Sequence, residues 1–314
     1  MNWKFEKVAG PFGSPLGGLA WDGSGMLFAD IMESEIRRFD PRRGSTKSWR
    51  KHTNRTNGMA FGKGGTLFGA QEGSRRIVRY EQDGSAILTN QRMADGRVHN
   101  HPCDLAIDQQ GRVWFSDPHN AMAAWGPQLF GKLEHASVLR LEQDPAPQRR
   151  SWTIARVTYD TTNPRGLALS PDEKTLYVSE NNMERDGRRE LRAYPILKDG
   201  SVAAPNVLHS FGIDHRGVHR GIEGMCVDSD GNIIVVAGWQ RSGPGPMVMV
   251  FTPEGGIVES HRIPGDAPNN CAFGDSGLTS LYVTTCDGTL LRARSIGRKG
   301  HRLPTLRQAE RSEK

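Results

Sequence analysis

The chain has 314 residues, of which 36% are hydrophobic and 24% charged, so it can bury a sizeable core. Its formal net charge of +6 comes from basic residues scattered beside acidic ones, which is typical of a solvated surface and argues against a nucleic-acid-binding face. No apolar run approaches the roughly 18 residues of a membrane span, and the N-terminus lacks the apolar core of a signal peptide. The four cysteines show no disulfide-scaffold spacing, so we expect reduced thiols in a cytoplasmic protein.

A unit of two short apolar runs, joined by a turn containing Gly or Asp, occurs six times along the chain. The copies begin at Gly17, Asn57, Cys103, Arg165, Glu223 and Asn269. Their starts lie 40 to 62 residues apart, and a third strand-like run follows most copies. This pattern is typical of four-stranded propeller blades. The sequence therefore predicts an all-β, six-bladed β-propeller over residues 1–295, followed by a basic C-terminal tail over residues 296–314.

The two ends of such a ring must be joined, because an open blade would expose bare edge strands. We expect the N-terminal segment WKFEKVAG, residues 3–10, to supply the outer strand of the last blade.

The repeat register also predicts where a site lies. The first strand of each propeller blade lines the central channel, and the six starting residues all directly precede that strand. They should therefore ring one mouth of the channel as a mostly polar funnel, in which Arg165 and Glu223 lie near each other.

Four segments carry a family resemblance: NGMAFGKGGTLFGAQEGSRRIVRYEQDGS, PCDLAIDQQGRVWFSDP, PRGLALSPDEKTLYVSE and APNNCAFGDSGLTSLYVTT. Together they resemble the SMP-30/gluconolactonase family of six-bladed propellers, and the resemblance spans about residues 14–295. It implies a hydrolase that opens lactone rings, usually with one divalent cation, often calcium, at the channel mouth.

The chain departs from the family pattern at the residues that hold this cation. Gly17 stands at the family's Glu, Cys103 and Arg165 stand at its two Asn positions, and Glu223 stands at its Asp. Calcium takes six to eight oxygen ligands, and a guanidinium among them would repel it. We therefore expect no calcium. A different divalent metal held by Glu223, Cys103 and His101 is the alternative.

Three residues are predicted to carry the chemistry. Arg165 could replace the metal by holding a substrate carboxylate or a developing oxyanion, or it could form a salt bridge with Glu223 in an inactive site. Glu223 aligns with the family's acidic residue and is the predicted general base. Cys103 is either a nucleophile activated by a nearby cation or a small residue that fills the space of the family's Asn.

Five further residues are predicted to contact the substrate. Asn57 and Asn269 belong to the ring, and His101 stands roughly where some relatives use an Arg to hold sugar hydroxyls. His219 precedes Glu223 by four residues. Trp125 lies in the longest insertion between strands, where it either covers a planar ring of the substrate or packs the loop.

The resulting prediction is a hydrolase that opens a small, anionic lactone in sugar or aromatic-acid catabolism. Its partner is a small-molecule substrate, with no nucleic acid or membrane. One alternative is a metal-free isomerase or C–C bond-forming propeller resembling strictosidine synthase. Another is a propeller that binds a ligand without catalysis.

Overall fold

The computed structural model describes residues 3–81, 83, 85–89, 93, 95–119, 131–144 and 151–301. Its strands form six four-stranded antiparallel sheets, one for each predicted repeat, and each sheet is one blade. The first blade contains β2 (Leu16–Trp21), β3 (Met26–Asp30), β4 (Glu35–Asp40) and β5 (Ser45–Lys51). The second contains β6 (Thr56–Phe61), β7 (Leu67–Gln71), β8 (Arg76–Tyr80) and β9 (Ala86–Leu88). The third contains β10 (Leu105–Ile107), β11 (Val113–Asp117), β12 (Ser137–Gln143) and β13 (Trp152–Arg156).

The second half of the chain repeats this arrangement. The fourth blade contains β14 (Pro164–Leu169), β15 (Thr175–Asn181), β16 (Arg189–Pro195) and β17 (Asn206–Ser210). The fifth contains β20 (Ile222–Val227), β21 (Ile233–Trp239), β22 (Ser242–Phe251) and β23 (Ile257–Arg262). The sixth contains β24 (Pro268–Gly274), β25 (Ser280–Thr285) and β26 (Leu290–Ala293), completed by β1 (Phe5–Ala9). A small hairpin, β18 (Ile213–Asp214) and β19 (Gly217–Val218), precedes the fifth blade, and 3-10 turns span Lys63–Gly65 and Ser276–Leu278.

The predicted six-bladed propeller is confirmed, and so is its closure by the N-terminal segment. Strand β1 pairs antiparallel with β26, with Phe5 opposite Ala293 and Glu6 opposite Arg292. The Glu6 carboxylate also accepts a hydrogen bond from Arg292 Nη2 at 2.8 Å. Because β1 comes from the start of the chain, it covers the strand edge that the last repeat would otherwise leave open.

The core lies between neighbouring blades. Each inner strand contacts the inner strands on both sides, so β2, β6, β10, β14, β20 and β24 form a closed ring around the channel. One cluster between the second and third blades contains Phe68, Leu105 and Phe115, all buried. Both faces of each sheet are covered, which is why β21 is an almost continuous run of apolar residues and is buried along nearly its whole length.

The inner strands approach one another closely one residue below the predicted ring. Four blades have glycine at this level: Gly18, Gly58, Gly166 and Gly224. A Cβ on Gly58 would lie 2.6 Å from Cα of Asp104, and a Cβ on Gly166 would lie 2.7 Å from the carbonyl oxygen of Glu223. The backbone of the next blade therefore occupies the space of a side chain, and the channel is narrow here.

The first part of the predicted tail packs against the propeller. Ile296 is buried in the cluster that contains Trp3, and Arg298 Nη1 lies 2.8 Å from Asp228 Oδ2. Gly300 forms an isolated β-bridge with Asp228. Residues 296–301 are thus in contact with the fifth and sixth blades, whereas residues 302–314 lie outside the described part of the chain.

Within the described residues, the structure has no helix that is both long and apolar enough to cross a membrane.

Candidate functional site

At the first position of the predicted ring, Gly17 leaves space that the side chain of Asn57 occupies. Asn57 is buried, and its Oδ1 lies where a side chain on Gly17 would stand, 2.3 Å from the ideal Cβ position. Ile31 Cδ1 lies 2.9 Å from the same point. A longer residue at position 17, such as the Glu that the family resemblance implies there, would therefore displace Asn57.

Asn57, Cys103 and Arg165 follow one another around the mouth. Asn57 Nδ2 donates to Glu72 Oε1 at 2.8 Å and lies 3.4 Å from Cys103 Sγ. On the other side of the thiol, Arg165 Nη1 lies 3.8 Å from the same sulfur. The polar contacts therefore run from the second blade through the third to the fourth, as the repeat register predicts.

Arg165 and Glu223 form a loose ion pair. Arg165 Nε lies 3.9 Å from Glu223 Oε2, too far for a hydrogen bond, and this buried nitrogen has no hydrogen-bond partner among the described residues. Burial alone would lower the pKa of Arg165, but the Glu223 carboxylate and the Cys103 sulfur raise it above the ordinary value. The guanidinium is therefore permanently charged, and its buried Nε–H is a donor without a hydrogen-bond partner among the described residues.

Glu223 is held on its other oxygen by two residues that the sequence analysis did not single out. Asn181 Nδ2 donates to Glu223 Oε1 at 2.7 Å, and Arg220 Nη2 lies 3.4 Å from the same atom. Arg220 is itself anchored, because its Nη1 donates to the carbonyl oxygen of Pro268 at 2.6 Å. Oε1 is thus occupied, whereas Oε2 has, among the described residues, only the long contact to Arg165.

The repeat register could have identified Asn181 as a residue near the mouth. The second strand of each blade runs antiparallel to the first, so its last residues reach the same mouth as the ring. Asn181 ends β15, and Glu72 directly follows β7. The polar residues at these strand ends, in the segments GAQEG and VSENN, are therefore further candidates for the site. Arg220 had no comparable signal, because it belongs to the loop before β20.

Cys103 is buried. Burial raises the pKa of its thiol to about 12, and Arg165 offsets this only in part. A thiol that stays protonated near neutral pH is a poor nucleophile. The geometry therefore favours the alternative in which Cys103 fills space between Asn57 and Arg165.

The other predicted substrate contacts have different surroundings. His101 is buried, and burial, with Arg75 nearby, lowers its pKa to about 4, so it is neutral at pH 7. His219 lies beside the small hairpin, with Nε2 3.7 Å from Asp214 Oδ2. Asn269 Nδ2 donates to the carbonyl oxygen of Leu16 at 2.8 Å, which joins the sixth blade to the first. Trp125 lies outside the described residues.

The residues present do not fit a calcium ion. The Arg165 guanidinium stands between Cys103 and Glu223, where the resemblance implies metal ligands. In the described part of the chain, no three His, Cys, Asp or Glu side chains are grouped so that they could hold a metal. The alternative set of Glu223, Cys103 and His101 is accordingly not brought together as a metal site.

Comparisons with known proteins agree with the fold. Gluconolactonase from Zymomonas mobilis is 26% identical over 250 residues, which are 77% of this chain and 64% of that protein. The 6-deoxy-6-sulfogluconolactonase of Pseudomonas putida is 26% identical over 263 residues, 83% of this chain and 78% of that protein. The solved structure of a gluconolactonase from Xanthomonas campestris matches with a TM-score of 0.75 and 26% identity, covering 93% of this chain and 89% of that one.

The chain thus spans less than two thirds of the Zymomonas protein's length. The profile of the SMP-30/gluconolactonase/LRE-like region, however, matches residues 17–287, which include all six ring positions. The chain therefore belongs to the SMP-30/gluconolactonase/LRE-like family.

Proposed function

We propose that this protein hydrolyses a small, anionic lactone at the channel mouth, without a metal ion. The observation that carries the proposal is the loose pair of Arg165 and Glu223. A salt bridge that merely sealed an inactive channel should bring the two groups into hydrogen-bond contact, because a buried charge is costly unless it is well paired. Instead Arg165 Nε and Glu223 Oε2 stand 3.9 Å apart, and the nitrogen lacks a hydrogen-bond partner among the described residues.

Glu223 acts as the general base in this proposal. Asn181 and Arg220 hold Oε1. Oε2 takes a proton from a water molecule while the oxygen of that water bonds to the lactone carbonyl carbon. The resulting oxyanion collapses, the ring C–O bond breaks, and Glu223 returns the proton to the leaving oxygen. The product is the open hydroxy acid.

Arg165 supplies the positive charge that a divalent cation supplies elsewhere in the family. Its free Nε–H can donate to the oxyanion as charge develops, or to a carboxylate carried by the substrate. A fixed cation in a partly buried mouth favours substrates with a negative group. One relative, the Pseudomonas putida enzyme, is named for a lactone with a sulfo group, which is anionic, and this supports the same substrate class.

The curated relatives are named as lactonases, so the strictosidine-synthase-like and non-catalytic alternatives gain no support from them. The cytoplasmic location and the single domain over residues 1–295 remain part of the proposal. Sugar catabolism is the setting in which the relatives' named substrates belong, and we propose it for this chain in preference to aromatic-acid catabolism.

The test compares aldonolactones of equal ring size that end in a carboxylate or in a neutral hydroxymethyl group. Proton release on ring opening is recorded above the spontaneous rate. We expect turnover of both classes, with the higher kcat/KM for the carboxylated lactone. A higher kcat/KM for the neutral lactone would contradict the proposed preference for anionic substrates. Absence of turnover for every lactone would contradict the proposed hydrolase activity.

A further inference from the structure

The central channel is divided into two compartments one residue below the ring. At this level four blades have glycine, and only the third and sixth blades have side chains, namely Asp104 and Asn270. In a six-bladed ring these two blades stand opposite each other. Asn270 Nδ2 reaches Asp104 Oδ1 at 3.4 Å, so the two side chains meet across the axis where the backbones are already close. The polar mouth and the rest of the channel are separated by this layer.

Below the layer lies an apolar chamber with a volume of about 200 Å³. Three successive levels of the inner strands form its wall, and none of the six ring residues takes part. The middle level is small, with alanine in five blades and Cys226 in the other, whereas the levels on either side are large and include Met59, Met225 and Trp21. Small residues at one level flanked by large ones leave a space instead of a packed core.

The chamber opens to solvent on the face opposite the catalytic mouth. Its outermost level includes Trp21, Phe61, Leu169 and Val227, all of which are partly exposed although they are large and apolar. Glu173 and His301 lie at this opening. The chamber is therefore reached from the other side of the molecule, independently of Arg165 and Glu223.

Acidic residues outnumber lysine and arginine in the wall of the chamber. Asp104 closes its inner end and Glu173 stands at its opening, while no lysine or arginine belongs to its wall among the described residues. The Asp104 carboxylate is buried and poorly supplied with donors. Oδ1 accepts from the backbone N–H of Leu105 at 3.0 Å, and the contacts from Asn270 to Oδ1 and from Leu167 N to Oδ2 are both 3.4 Å. A cationic donor inside the chamber would complete its hydrogen bonding.

We propose that this chamber is a second binding site, which takes a small hydrophobic primary amine with its ammonium group at Asp104 and its hydrocarbon part against the apolar wall. The size is suitable, because apolar cavities of roughly 150 Å³ admit a benzene ring. An anionic ligand would meet Asp104 and Glu173, and no lysine or arginine of the described residues lines the wall to offset them. A neutral apolar ligand would add no donor to the buried carboxylate, which would keep only the Leu105 N–H at 3.0 Å and two contacts at 3.4 Å.

The primary experiment is isothermal titration calorimetry of the full chain with n-hexylamine, n-hexanol and hexanoate at constant ionic strength and pH 8, because burial raises the pKa of the Asp104 carboxyl to about 7 and the proposed contact needs it ionised. These probes share one hydrocarbon chain and differ in the charge of the head group; the amine is protonated at this pH, as a lysine side chain is. We expect the amine to bind roughly tenfold or more tightly than the alcohol, as a charge-assisted hydrogen bond allows, and hexanoate to bind more weakly than either. Equal binding of amine and alcohol, or binding of neither, would overturn the proposal.

Variants locate the site. Asp104→Asn should reduce amine affinity to that of the alcohol while alcohol binding persists, and the retained alcohol binding shows that the variant is folded. Glu223→Gln, at the other compartment, should leave amine affinity unchanged. Loss of amine binding in Glu223→Gln would place the ligand at the mouth and contradict the proposal.

A measurement on the unaltered protein does not depend on any variant folding. With ¹³C-methyl-labelled methionine, hexylamine should shift the NMR signals of Met59 and Met225, which line the chamber, and leave exposed Met32 unchanged. Shifts at Met32 without shifts at Met59 and Met225 would show that the amine binds elsewhere.

Discussion

At the scale of single residues, the site depends on which oxygen of Glu223 is left available. Asn181 and Arg220 both engage Oε1, so the carboxylate is oriented with Oε2 toward Arg165. A carboxylate that neighbouring residues hold in one orientation can act as a general base, because its free oxygen is already positioned for proton transfer. The proposed chemistry therefore involves two residues beyond the six ring positions.

Replacing Glu223 by Gln keeps the shape of the side chain and removes its basicity. We expect kcat for the best lactone to fall roughly 100- to 10,000-fold, the usual contribution of general base catalysis, with KM nearly unchanged. Steady-state kinetics measures both, and Asn181→Ala, which loosens the carboxylate without removing it, should give an intermediate loss. A Glu223→Gln enzyme with the wild-type rate would show that another group is the base.

Arg165→Lys tests the planar guanidinium separately from its charge. Lysine retains the charge but cannot offer two parallel donors or the same Nε–H position. We expect kcat/KM for a carboxylated lactone to fall by an amount equivalent to roughly 2–5 kcal/mol, and that for the neutral lactone of the same ring size to fall less. Equal losses for both substrates would mean that Arg165 acts on the oxyanion alone.

Cys103→Ser distinguishes a nucleophile from a residue that fills space. Because burial raises the pKa of this thiol to about 12, it stays protonated near neutral pH. We expect the Ser variant to keep most of the wild-type kcat, and iodoacetamide to leave Cys103 of the native protein unmodified at pH 8, as shown by mass spectrometry. A nearly inactive Ser variant would restore the nucleophile hypothesis.

At the scale of secondary-structure elements, the glycine level sets how closely the inner strands can pack. Strand β14 lies against β20 at Gly166, where a Cβ would be 2.7 Å from the carbonyl oxygen of Glu223. This close approach also places the backbone of Glu223 directly beside the strand that carries Arg165. The same glycine thus supports the fold and the spacing of Arg165 and Glu223, the proposed catalytic pair.

We expect Gly166→Ala to lower the free energy of unfolding by roughly 1–3 kcal/mol, because the obstacle is backbone and cannot rotate away. Gly212→Ala is the matched control, since a Cβ there meets no atom within 4 Å and the residue is exposed. Urea denaturation of both variants gives the comparison. Equal stability of the two variants would mean that the neighbouring blades can separate at no cost.

At the scale of the whole molecule, the ring exists only because six blades close. One residue comes from each blade, and the last blade is completed by β1 from the other end of the chain. The contents of the mouth are therefore a property of the assembled propeller. They include a guanidinium, a thiol and a glycine at positions where the family resemblance implies oxygen ligands.

We accordingly expect the purified protein to contain no stoichiometric calcium and to keep its activity in EGTA. The reason is electrostatic, because Arg165 already occupies the centre of the would-be ligand set with a positive charge. Elemental analysis measures the first quantity and lactone hydrolysis the second. One calcium ion per chain, with activity lost on chelation and restored by calcium, would refute the metal-free proposal.

The sequence by itself determined the fold and the position of the ring. Strand pairing in each blade is local, so its pattern of apolar runs and turns is readable from a repeat of 40 to 62 residues. The same register placed Asn57, Cys103, Arg165 and Glu223 at one mouth, and the structure brings them together. Closure by residues 3–10 was also predictable, because an open sheet edge demands a partner.

Only the tertiary structure decided what those residues do. In the folded protein the Asn269 amide donates to the Leu16 carbonyl oxygen and joins two blades, and Cys103 is buried. Asn181 and Arg220 both contact the Glu223 carboxylate. It also set Asp104 opposite Asn270 across the axis, although 166 residues separate them in the chain. Hydrogen bonding, burial and pKa depend on distances between blades, and those distances arise from packing that no single repeat encodes.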